Sequence, residues 1–288
     1  MRRRTARTRR RYPRQGEEEV LSVRVSTEQL EQGGLRLSVD PPLARITLAR
    51  PEVRNAQTPA TWRALATIGR SLDPEVRVVV LDALGPSFSA GLDRRMLDGS
   101  GVPGEPSLAD LAGRPPAELD AAIAEFQAGF TWWRESPAVT IAAVRGHAVG
   151  AGFQLALACD LVVCADDARF AMRETSLGLV PDLGGTMPLV ATVGYQRALE
   201  ICATGRWVPA REAVDLGLAL TVVPADELGP AVDDLAAALL AAPPGALRET
   251  KALLRSAGSV RRADQLAAER AAQARRLAEL TGPTDRSG

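Results

Sequence analysis

The sequence predicts an α/β fold, because short apolar runs of strand length alternate with longer segments of helical periodicity. Two of the strand-to-helix junctions also carry glycines. The apolar run 76–82 leads into the first junction, residues 87–93, and the run 138–144 leads into the second, which contains Gly150 and Gly152. Glycines at the start of a helix leave its free N–H groups open to a ligand, and the helix dipole favours negative charge there. The two junctions therefore predict a site for an enolate or another oxyanion.

The strands are recognised by alternating or continuous apolar residues between turn residues. The predicted strands are 35–39, 43–48, 76–82, 138–144 and 161–165. The helices are recognised by apolar spacings of three and four residues, and the clearest start is Thr58, a good N-cap followed by Pro59. The predicted helices are 58–72, 119–134, 151–159, 195–204, 210–216, 226–241, 246–256 and 261–280. Residues 96–116 are rich in glycine and proline and are predicted to form a mobile loop.

Composition limits the class of protein. The 288 residues are 46% hydrophobic and 24% charged, which is enough apolar material for a large core. The net charge is zero, but residues 1–14 hold eight arginines and no acid, so residues 1–33 are predicted to be a disordered basic tail. No apolar run reaches membrane-spanning length, and acids rather than an apolar segment follow the arginines. We expect a soluble cytoplasmic protein with neither nucleic acid nor membrane as a partner.

Few residues are available for nucleophilic or metal chemistry. His147 is the only histidine, which argues against most zinc sites and against a Ser–His nucleophile, so no metal is expected. Lys251 is the only lysine and lies in a charged helical segment, where we expect it to be solvated. The three cysteines are an odd count, which argues against a disulfide framework.

The chain resembles the crotonase superfamily, the enoyl-CoA hydratase/isomerase family, in four segments. These are 49–57 (ARPEVRNAQ), 88–93 (FSAGLD), 146–186 (from GHAVGAGFQ to PDLGGT) and 203–224 (from ATGRW to TVVP). The resemblance covers roughly 35–280 in family order, so it is far more specific than a single glycine motif. It implies a spiral of ββα units over 34–225 and a helical trimerisation region over 226–288. It also implies an acyl-CoA thioester substrate, with no cofactor beyond the coenzyme A of that substrate, and a homotrimer or hexamer.

The resemblance assigns binding roles to five positions. The oxyanion hole would consist of the backbone N–H groups of Leu92 and Ala151. Arg54 matches a position that meets the nucleotide phosphates of coenzyme A. Ser89 and Ala90 match a backbone stretch that meets its adenine and pantetheine.

The acid and base groups decide which reaction is expected. Hydratases of the family carry two catalytic glutamates, which correspond here to Gln154 and Glu174, and an amide cannot accept a proton at neutral pH. Asp182 stands eight residues after Glu174, as an aspartate does in the dienoyl-CoA isomerases of the family. Two carboxyl groups beside an acyl chain can take a proton from one carbon and return it to another. The sequence therefore favours double-bond isomerisation of an enoyl- or dienoyl-CoA.

Two alternatives remain open at this stage. One is syn-hydration of a 2-enoyl-CoA, in which Glu174 activates the water and Gln154 orients it. The other is a catalytically silent acyl-CoA binder that keeps the oxyanion hole but has lost a complete acid and base set. The fold supports many reactions, so the choice depends on individual side chains.

Overall fold

The computed structural model describes residues 25–281, which form two sheets and the helices around them. The strands are β1 (Leu35–Asp40), β2 (Leu43–Leu48), β3 (Val78–Ala83), β4 (Val139–Val144), β5 (His147–Val149), β6 (Leu161–Ala165), β7 (Arg169–Ala171), β8 (Val208–Pro209) and β9 (Thr221–Val223). The helices are α1 (Thr27–Gly33), α2 (Pro59–Ser71), α3 (Leu108–Ala112), α4 (Pro116–Glu135), α5 (Ala151–Ala158), α6 (Thr186–Thr204), α7 (Ala210–Asp215), α8 (Leu228–Ala241), α9 (Pro244–Ser256) and α10 (Arg262–Thr281). The α/β prediction is confirmed, and each predicted strand and helix has a counterpart.

The sheets explain the spiral arrangement. The larger sheet has six strands in the order β1-β2-β3-β4-β6-β9, parallel except for the β1–β2 pair, and the smaller has three in the order β5-β7-β8. The chain passes from β4 in the large sheet to β5 in the small sheet, and then from β6 to β7 in the same way. Each passage forms one turn of the ββα spiral. The turns bring the end of β3 beside the end of β5, where the two glycine junctions lie.

The large sheet is covered on both faces. Most of its apolar side chains join α2, α4 and α5 in one extensive hydrophobic cluster. On the other face, α8 places Leu228, Val232 and Ala236 against Val80 and Ile141 of the sheet. The helix α8 therefore belongs to the core, although the sequence assigns it to a separate helical region beginning at residue 226. The helices α9 and α10 follow it, and residues 282–288 lie outside the described part of the chain.

Two segments are more ordered than the sequence predicts. Ser26 and Gln29 form a reciprocal capping box that begins α1, and Gly33 packs so closely on α2 that a Cβ there would lie 2.9 Å from the Cβ of Ala64. The predicted disordered tail is thus wrong for Thr27–Gly33, while residues 1–24 lie outside the described part. The predicted mobile loop 96–116 contains α3, which starts at a second capping box between Ser107 and Asp110.

Lys251 is buried and not solvated as expected. Its side chain is 10% exposed, and its Nζ donates to the carboxylate of Asp160 at 2.7 Å and to the carbonyl oxygens of Trp133 and Ala138 at 3.2 and 2.6 Å. Asp160 in turn accepts from the backbone N–H of Thr140 at 2.8 Å. Desolvation lowers the pKa of Lys251, and the charge of Asp160 opposes that change. The amine therefore docks α9 on the ends of α4 and α5 and on the start of β4.

None of the described helices is long and apolar enough to span a membrane.

The docking of α9 can be tested with Lys251→Met. Removing one partner of a buried ion pair leaves the other charge uncompensated, so we expect a loss of about 3 kcal/mol in the free energy of unfolding, measured with urea. The control is Arg248→Met, which removes an exposed cation from the same helix and is expected to change stability little. Equal stability of the two variants would contradict the docking role.

Candidate active site

The two glycine junctions open into one cavity of about 1120 Å³. Seven of the eight residues to which the resemblance assigns a role in the site line this cavity: Arg54, Ala90, Leu92, Ala151, Gln154, Glu174 and Asp182. They come from separate parts of the chain, and the spiral fold brings them together. Ser89 is the exception, because it is fully buried and does not line the cavity.

Backbone contacts hold the two junctions against each other. The N–H of Ser89 donates to the oxygen of His147 at 2.8 Å, and the N–H of Val149 donates to the oxygen of Ser89 at 3.0 Å. The hydroxyl of Ser89 is also committed, since it accepts from Gln57 Nε2 at 2.9 Å and donates to the oxygen of Asn55 at 2.8 Å. Ser89 therefore builds the junction, and both its hydroxyl and its backbone polar groups are paired within the protein.

The close approach of the junctions requires glycine at position 91. Gly91 has φ +84°, and a Cβ there would lie 2.5 Å from the oxygen of Val149 and 3.6 Å from the nitrogen of Ala151. Gly91 therefore lies against the start of α5, which brings the segment that carries the Leu92 N–H next to the one that carries the Ala151 N–H. Neither N–H has an acceptor within residues 25–281. Two free N–H donors near the N-terminus of a helix are suited to stabilise an oxyanion.

Gln154 is fixed at the centre of the site. Its side chain lies on α5, it is 1% exposed, and its Oε1 accepts from the N–H groups of Leu183 and Gly185 at 2.9 and 3.2 Å. Those two bonds orient the amide, so that its Nε2 points away from them and donates to Glu174 Oε1 at 2.7 Å. The amide thus positions Glu174 and also holds the segment that carries Asp182.

Glu174 lies next to the oxyanion donors. A Cβ on Gly150 would be 3.3 Å from Glu174 Oε1, so the carboxylate is beside the first turn of α5. The other oxygen, Oε2, is buried and has no hydrogen-bond partner within the described residues. Desolvation raises the pKa of Glu174, the bond from Gln154 opposes this, and the charge of Asp182 adds to the increase. A carboxyl group with a raised pKa and an unpartnered oxygen is suited to proton transfer.

Asp182 lines the same cavity from the segment before α6. It is accessible through the cavity, yet the protein around it desolvates the carboxyl and raises its pKa. Its backbone oxygen accepts from Gln127 Nε2 at 2.7 Å, which joins this segment to α4. The cavity therefore contains two carboxyl groups whose ionised forms are both destabilised.

Arg54 lies at the rim of the cavity, where it is exposed. Its backbone is left-handed, with φ 53°, and its oxygen accepts from the N–H of Ala90 at 2.8 Å. The side chain of the neighbouring Asn55 donates to the oxygens of Leu84 and Ser87, both at 2.8 Å, which keeps this turn next to the first junction. An exposed cation at a cavity mouth can meet an anionic ligand group.

Sequence reasoning did not identify the cluster behind Glu174. The guanidinium of Arg173 lies 5.1 Å from the ring centroid of Trp207, and the ring of His147 meets Trp207 edge-on at 5.3 Å. All three residues line the cavity. The only signal in the sequence is that Arg173 directly precedes Glu174, because Trp207 and His147 come close to it only through the pairing of β5, β7 and β8.

Comparison with known proteins now assigns the family. The family model described as enoyl-CoA hydratase/isomerase matches residues 40–281. The chain belongs to this family. Its members are enzymes that act on CoA thioesters, whose thioester oxygen is the group that the two free N–H donors would stabilise.

Three similar proteins illustrate the range of the family. A probable enoyl-CoA hydratase of Mycobacterium bovis is 35% identical over 188 residues, which cover 64% of this chain and 66% of that protein. The peroxisomal Delta(3,5)-Delta(2,4)-dienoyl-CoA isomerase of Arabidopsis thaliana is 32% identical over 223 residues, which cover 76% of this chain and 80% of that protein. A protein of Thermobifida fusca YX, whose crystal structure is in complex with acetoacetyl-CoA, is 50% identical with a TM-score of 0.85, covering 88% of this chain and 99% of that one.

The raised pKa values predict a cost in stability. Consider a carboxyl group whose pKa is higher in the folded than in the unfolded state. It lowers the free energy of unfolding fully when the pH is above its folded-state pKa, and it has no such effect when the pH is below its unfolded-state pKa. We therefore expect Glu174→Gln and Asp182→Asn to raise the melting temperature at neutral pH, and this gain to vanish below about pH 4. Differential scanning calorimetry across pH measures it.

The control for this experiment is Glu125→Gln, which changes an exposed carboxylate in the middle of α4. We expect no comparable gain from it. A fall in melting temperature at neutral pH for both site variants would contradict the electrostatic account.

Proposed function

We propose that this enzyme moves a carbon–carbon double bond in an enoyl- or dienoyl-CoA by proton transfer through Glu174 and Asp182. The observation that carries the proposal is that both carboxyl groups line one cavity with the Leu92 and Ala151 N–H groups, and that burial raises both pKa values. Two carboxyl groups in different surroundings can serve as a base and an acid at the same pH.

The first step removes a proton from the α-carbon of the thioester. The thioester oxygen accepts hydrogen bonds from the N–H groups of Leu92 and Ala151, which stabilise the charge that develops on it. Glu174 lies beside Gly150, next to these donors, and its unpartnered Oε2 takes the α-proton. The electron pair of the broken C–H bond becomes part of the enolate.

The second step returns a proton to a carbon farther along the acyl chain. Asp182, in its neutral form, donates that proton, and the electrons of the enolate shift to form the new double bond while the thioester carbonyl is restored. Glu174 is then protonated and Asp182 ionised. Before the next turnover Glu174 must lose its proton and Asp182 must gain one, so after product release the proton passes from Glu174 to water in the cavity and from that water to Asp182, which is exposed.

The amide of Gln154 supports this division of roles. It bonds only one oxygen of Glu174 and leaves the other without a partner among the described residues. It carries no charge itself, so it adds no third anion to the pair.

Hydration of a 2-enoyl-CoA is the second candidate. The unpartnered Oε2 of Glu174 can hold and activate a water, and Gln154 Nε2 has a further N–H available to orient it. In this reaction Asp182 would not transfer a proton. A silent acyl-CoA binder is the third candidate, and it would bind saturated acyl-CoAs without exchanging their α-protons for deuterium.

Asp182→Asn separates the first two candidates. If the enzyme isomerises, one of two proton transfers is lost, and kcat is expected to fall on the order of 10²–10⁴-fold while acyl-CoA affinity is largely kept. Mass spectrometry of the products distinguishes the reactions, because hydration adds a water and isomerisation does not change the mass. If the wild type hydrates a 2-enoyl-CoA efficiently and Asp182→Asn does so equally well, the isomerase proposal is wrong and the enzyme is a hydratase.

Gln154→Glu is the reciprocal variant. It supplies a second carboxyl group beside Glu174 and is expected to increase hydration of a 2-enoyl-CoA relative to the wild type. Glu174→Gln is expected to abolish either reaction, so it serves as the control for residual activity.

For coenzyme A, we propose that the exposed guanidinium of Arg54 meets the nucleotide phosphates and that the backbone at Ala90 meets the pantetheine. Both line the cavity mouth, and the bond from Ala90 N–H to the oxygen of Arg54 keeps them adjacent.

We also propose that the chain assembles as a homotrimer or as a pair of trimers. Large apolar side chains are exposed along α6 and the segment before it, namely Leu179, Val180, Met187, Val190, Tyr195 and Leu199. Val180 is 69% exposed, Met187 81% and Tyr195 69%, an extent that marks an interaction surface. This surface adjoins Asp182, so the assembly would help to shape the active site.

Light scattering tests the assembly. The wild type is expected to have the mass of three or six chains at micromolar concentration, and Met187→Asp combined with Tyr195→Asp is expected to give monomers. Ala124→Asp, on an exposed part of α4, is the control and should leave the mass unchanged. A wild-type monomer would contradict the proposal.

A further inference from the structure

The residue directly before Glu174 is an arginine whose charge no carboxylate neutralises. Arg173 lines the cavity, and its guanidinium makes no ion pair among residues 25–281. Glu174 nevertheless has a buried oxygen, Oε2, without a hydrogen-bond partner in the same part of the chain. Opposite charges on adjacent residues attract each other, so a free guanidinium at this position is expected to pair with the carboxylate. Another contact must therefore keep the two apart.

The ring of Trp207 provides that contact. Cζ of the guanidinium lies 5.1 Å from the ring centroid, a distance at which the electron-rich face of an indole attracts a cation. The stem of Arg173 crosses the turn at Gly205, where a Cβ would lie 3.4 Å from Cδ and 3.8 Å from Nη1. That turn is left-handed, with φ +59°, and it ends α6. The arginine is therefore laid along the segment 205–207 and makes no pair with the carboxylate.

Trp207 is itself held in place by three neighbours. The next residue, Val208, is fully buried and pairs with Phe170 of β7. The backbone oxygen of Trp207 accepts from Nη1 of Arg206 at 3.1 Å. Its ring meets the ring of His147 edge-on, with a centroid distance of 5.3 Å. The small sheet therefore fixes the aromatic face before any substrate binds.

The second arginine of this turn does not compete for the ring. Arg206 donates to Glu212 from Nη1 and Nη2 at 2.8 and 2.7 Å, and to Glu200 from Nη2 at 3.1 Å. Two carboxylates therefore neutralise it, whereas Arg173 has only the aromatic face. Of the two arginines, only Arg173 can turn toward Glu174 without breaking an ion pair.

The groups around Glu174 that are not cations favour such a pair. Gln154 on α5 is a neutral amide that donates to Oε1. Burial raises the pKa of Glu174, and the charge of Asp182 adds to the increase. Burial and the charge of Glu174 raise the pKa of the Cys202 thiol on α6, which keeps it neutral. His147 of β5 lines the same cavity. None of these groups supplies the positive charge that Glu174 lacks.

The other cations of the cavity lining leave Glu174 unpaired as well. Arg54 and Arg94 are exposed to solvent, and Arg95 forms its ion pair elsewhere, at 2.9 Å. None of them makes an ion pair with Glu174 within the described residues. Arg173, next to Glu174 in the chain, is therefore the cation whose position matters most for this carboxylate.

We propose that Trp207 is a positioning residue, whose ring holds the guanidinium of Arg173 and so keeps Glu174 free of an ion pair. A guanidinium stabilises the ionised form of a carboxylate and can occupy both of its oxygens, so a paired Glu174 would be a weaker and less accessible base. The inference rests on the proposed role of Glu174 as a base, which isomerisation and hydration share.

The pH dependence of α-proton exchange tests the proposal. Mass spectrometry would follow deuterium entering butanoyl-CoA in D₂O well below saturation, where the midpoint of the acidic limb reports the base of the free enzyme. In Trp207→Leu the guanidinium is released and pairs with Glu174, so the midpoint is expected to fall by at least about 1 pH unit. Trp207→Phe keeps an aromatic face for the cation and is expected to retain the wild-type midpoint.

Removal of the cation separates positioning from a loss of packing. Arg173→Gln is expected to leave the midpoint near the wild-type value, because the guanidinium is already held away from Glu174. Combining it with Trp207→Leu is expected to restore the wild-type midpoint, since no cation is left to pair. An unchanged midpoint in Trp207→Leu would overturn the proposal, and so would a midpoint that falls equally with and without Arg173.

Calorimetry makes the same comparison without a chemical step. The gain in melting temperature that Glu174→Gln is expected to give at neutral pH should be lost in the Trp207→Leu background, because pairing with Arg173 lowers the folded-state pKa of Glu174. If exchange occurs but this gain persists in Trp207→Leu, the positioning role is wrong and the proposed function stands. If the gain is lost but no variant exchanges α-protons, Trp207 does hold Arg173 away from Glu174 and the proposed function is wrong.

Discussion

Two backbone hydrogen bonds join Ser89 to β5, and the positions of both proposed oxyanion donors, the N–H groups of Leu92 and Ala151, depend on them. Each bond is worth about 1 kcal/mol net, but buried N–H and carbonyl groups cannot be left unpaired without a larger loss. The hydroxyl of Ser89 adds bonds to Asn55 and Gln57, and Gln57 in turn anchors Trp62. The proposed oxyanion donors, the turn at Asn55 and the ring of Trp62 in the cavity lining therefore depend on one buried polar network.

The amide at position 154 determines the charge of the site. A carboxylate there would have to accept from Leu183 and Gly185 and would also face Glu174, so two anions would lie within hydrogen-bond distance of each other. The amide satisfies both neighbours without that repulsion. Among the carboxyl groups that line the cavity, Glu174 and Asp182 are the two whose pKa is raised, and they are eight residues apart in the chain.

Much of the site was predictable from the sequence because its motifs are local. The glycine junctions, Glu174 and Asp182 are contiguous signals, and seven of the eight proposed site residues line the cavity. The position of Ser89 behind the cavity lining was not predictable, because its place in the sequence says nothing about which way its polar groups point. The helix α3 was missed because glycines and prolines dominate the composition of residues 96–116, although the Ser107 and Asp110 capping pair is visible in the sequence. The order of the early elements followed from periodicity, whereas the burial of Lys251 depends on contacts with residues about a hundred positions away.

The buried lysine has a further consequence, for covalent chemistry. Thioesters and other acylating agents react with unprotonated amines. Apart from Lys251 and His147, every basic side chain of this protein is an arginine, whose guanidinium group remains protonated. The one lysine amine of the chain does not line the cavity and is engaged by Asp160 and two carbonyl oxygens. An acylating reagent can therefore modify a lysine only in molecules whose α9 has separated from the core, and the rate of that modification reports how often α9 undocks.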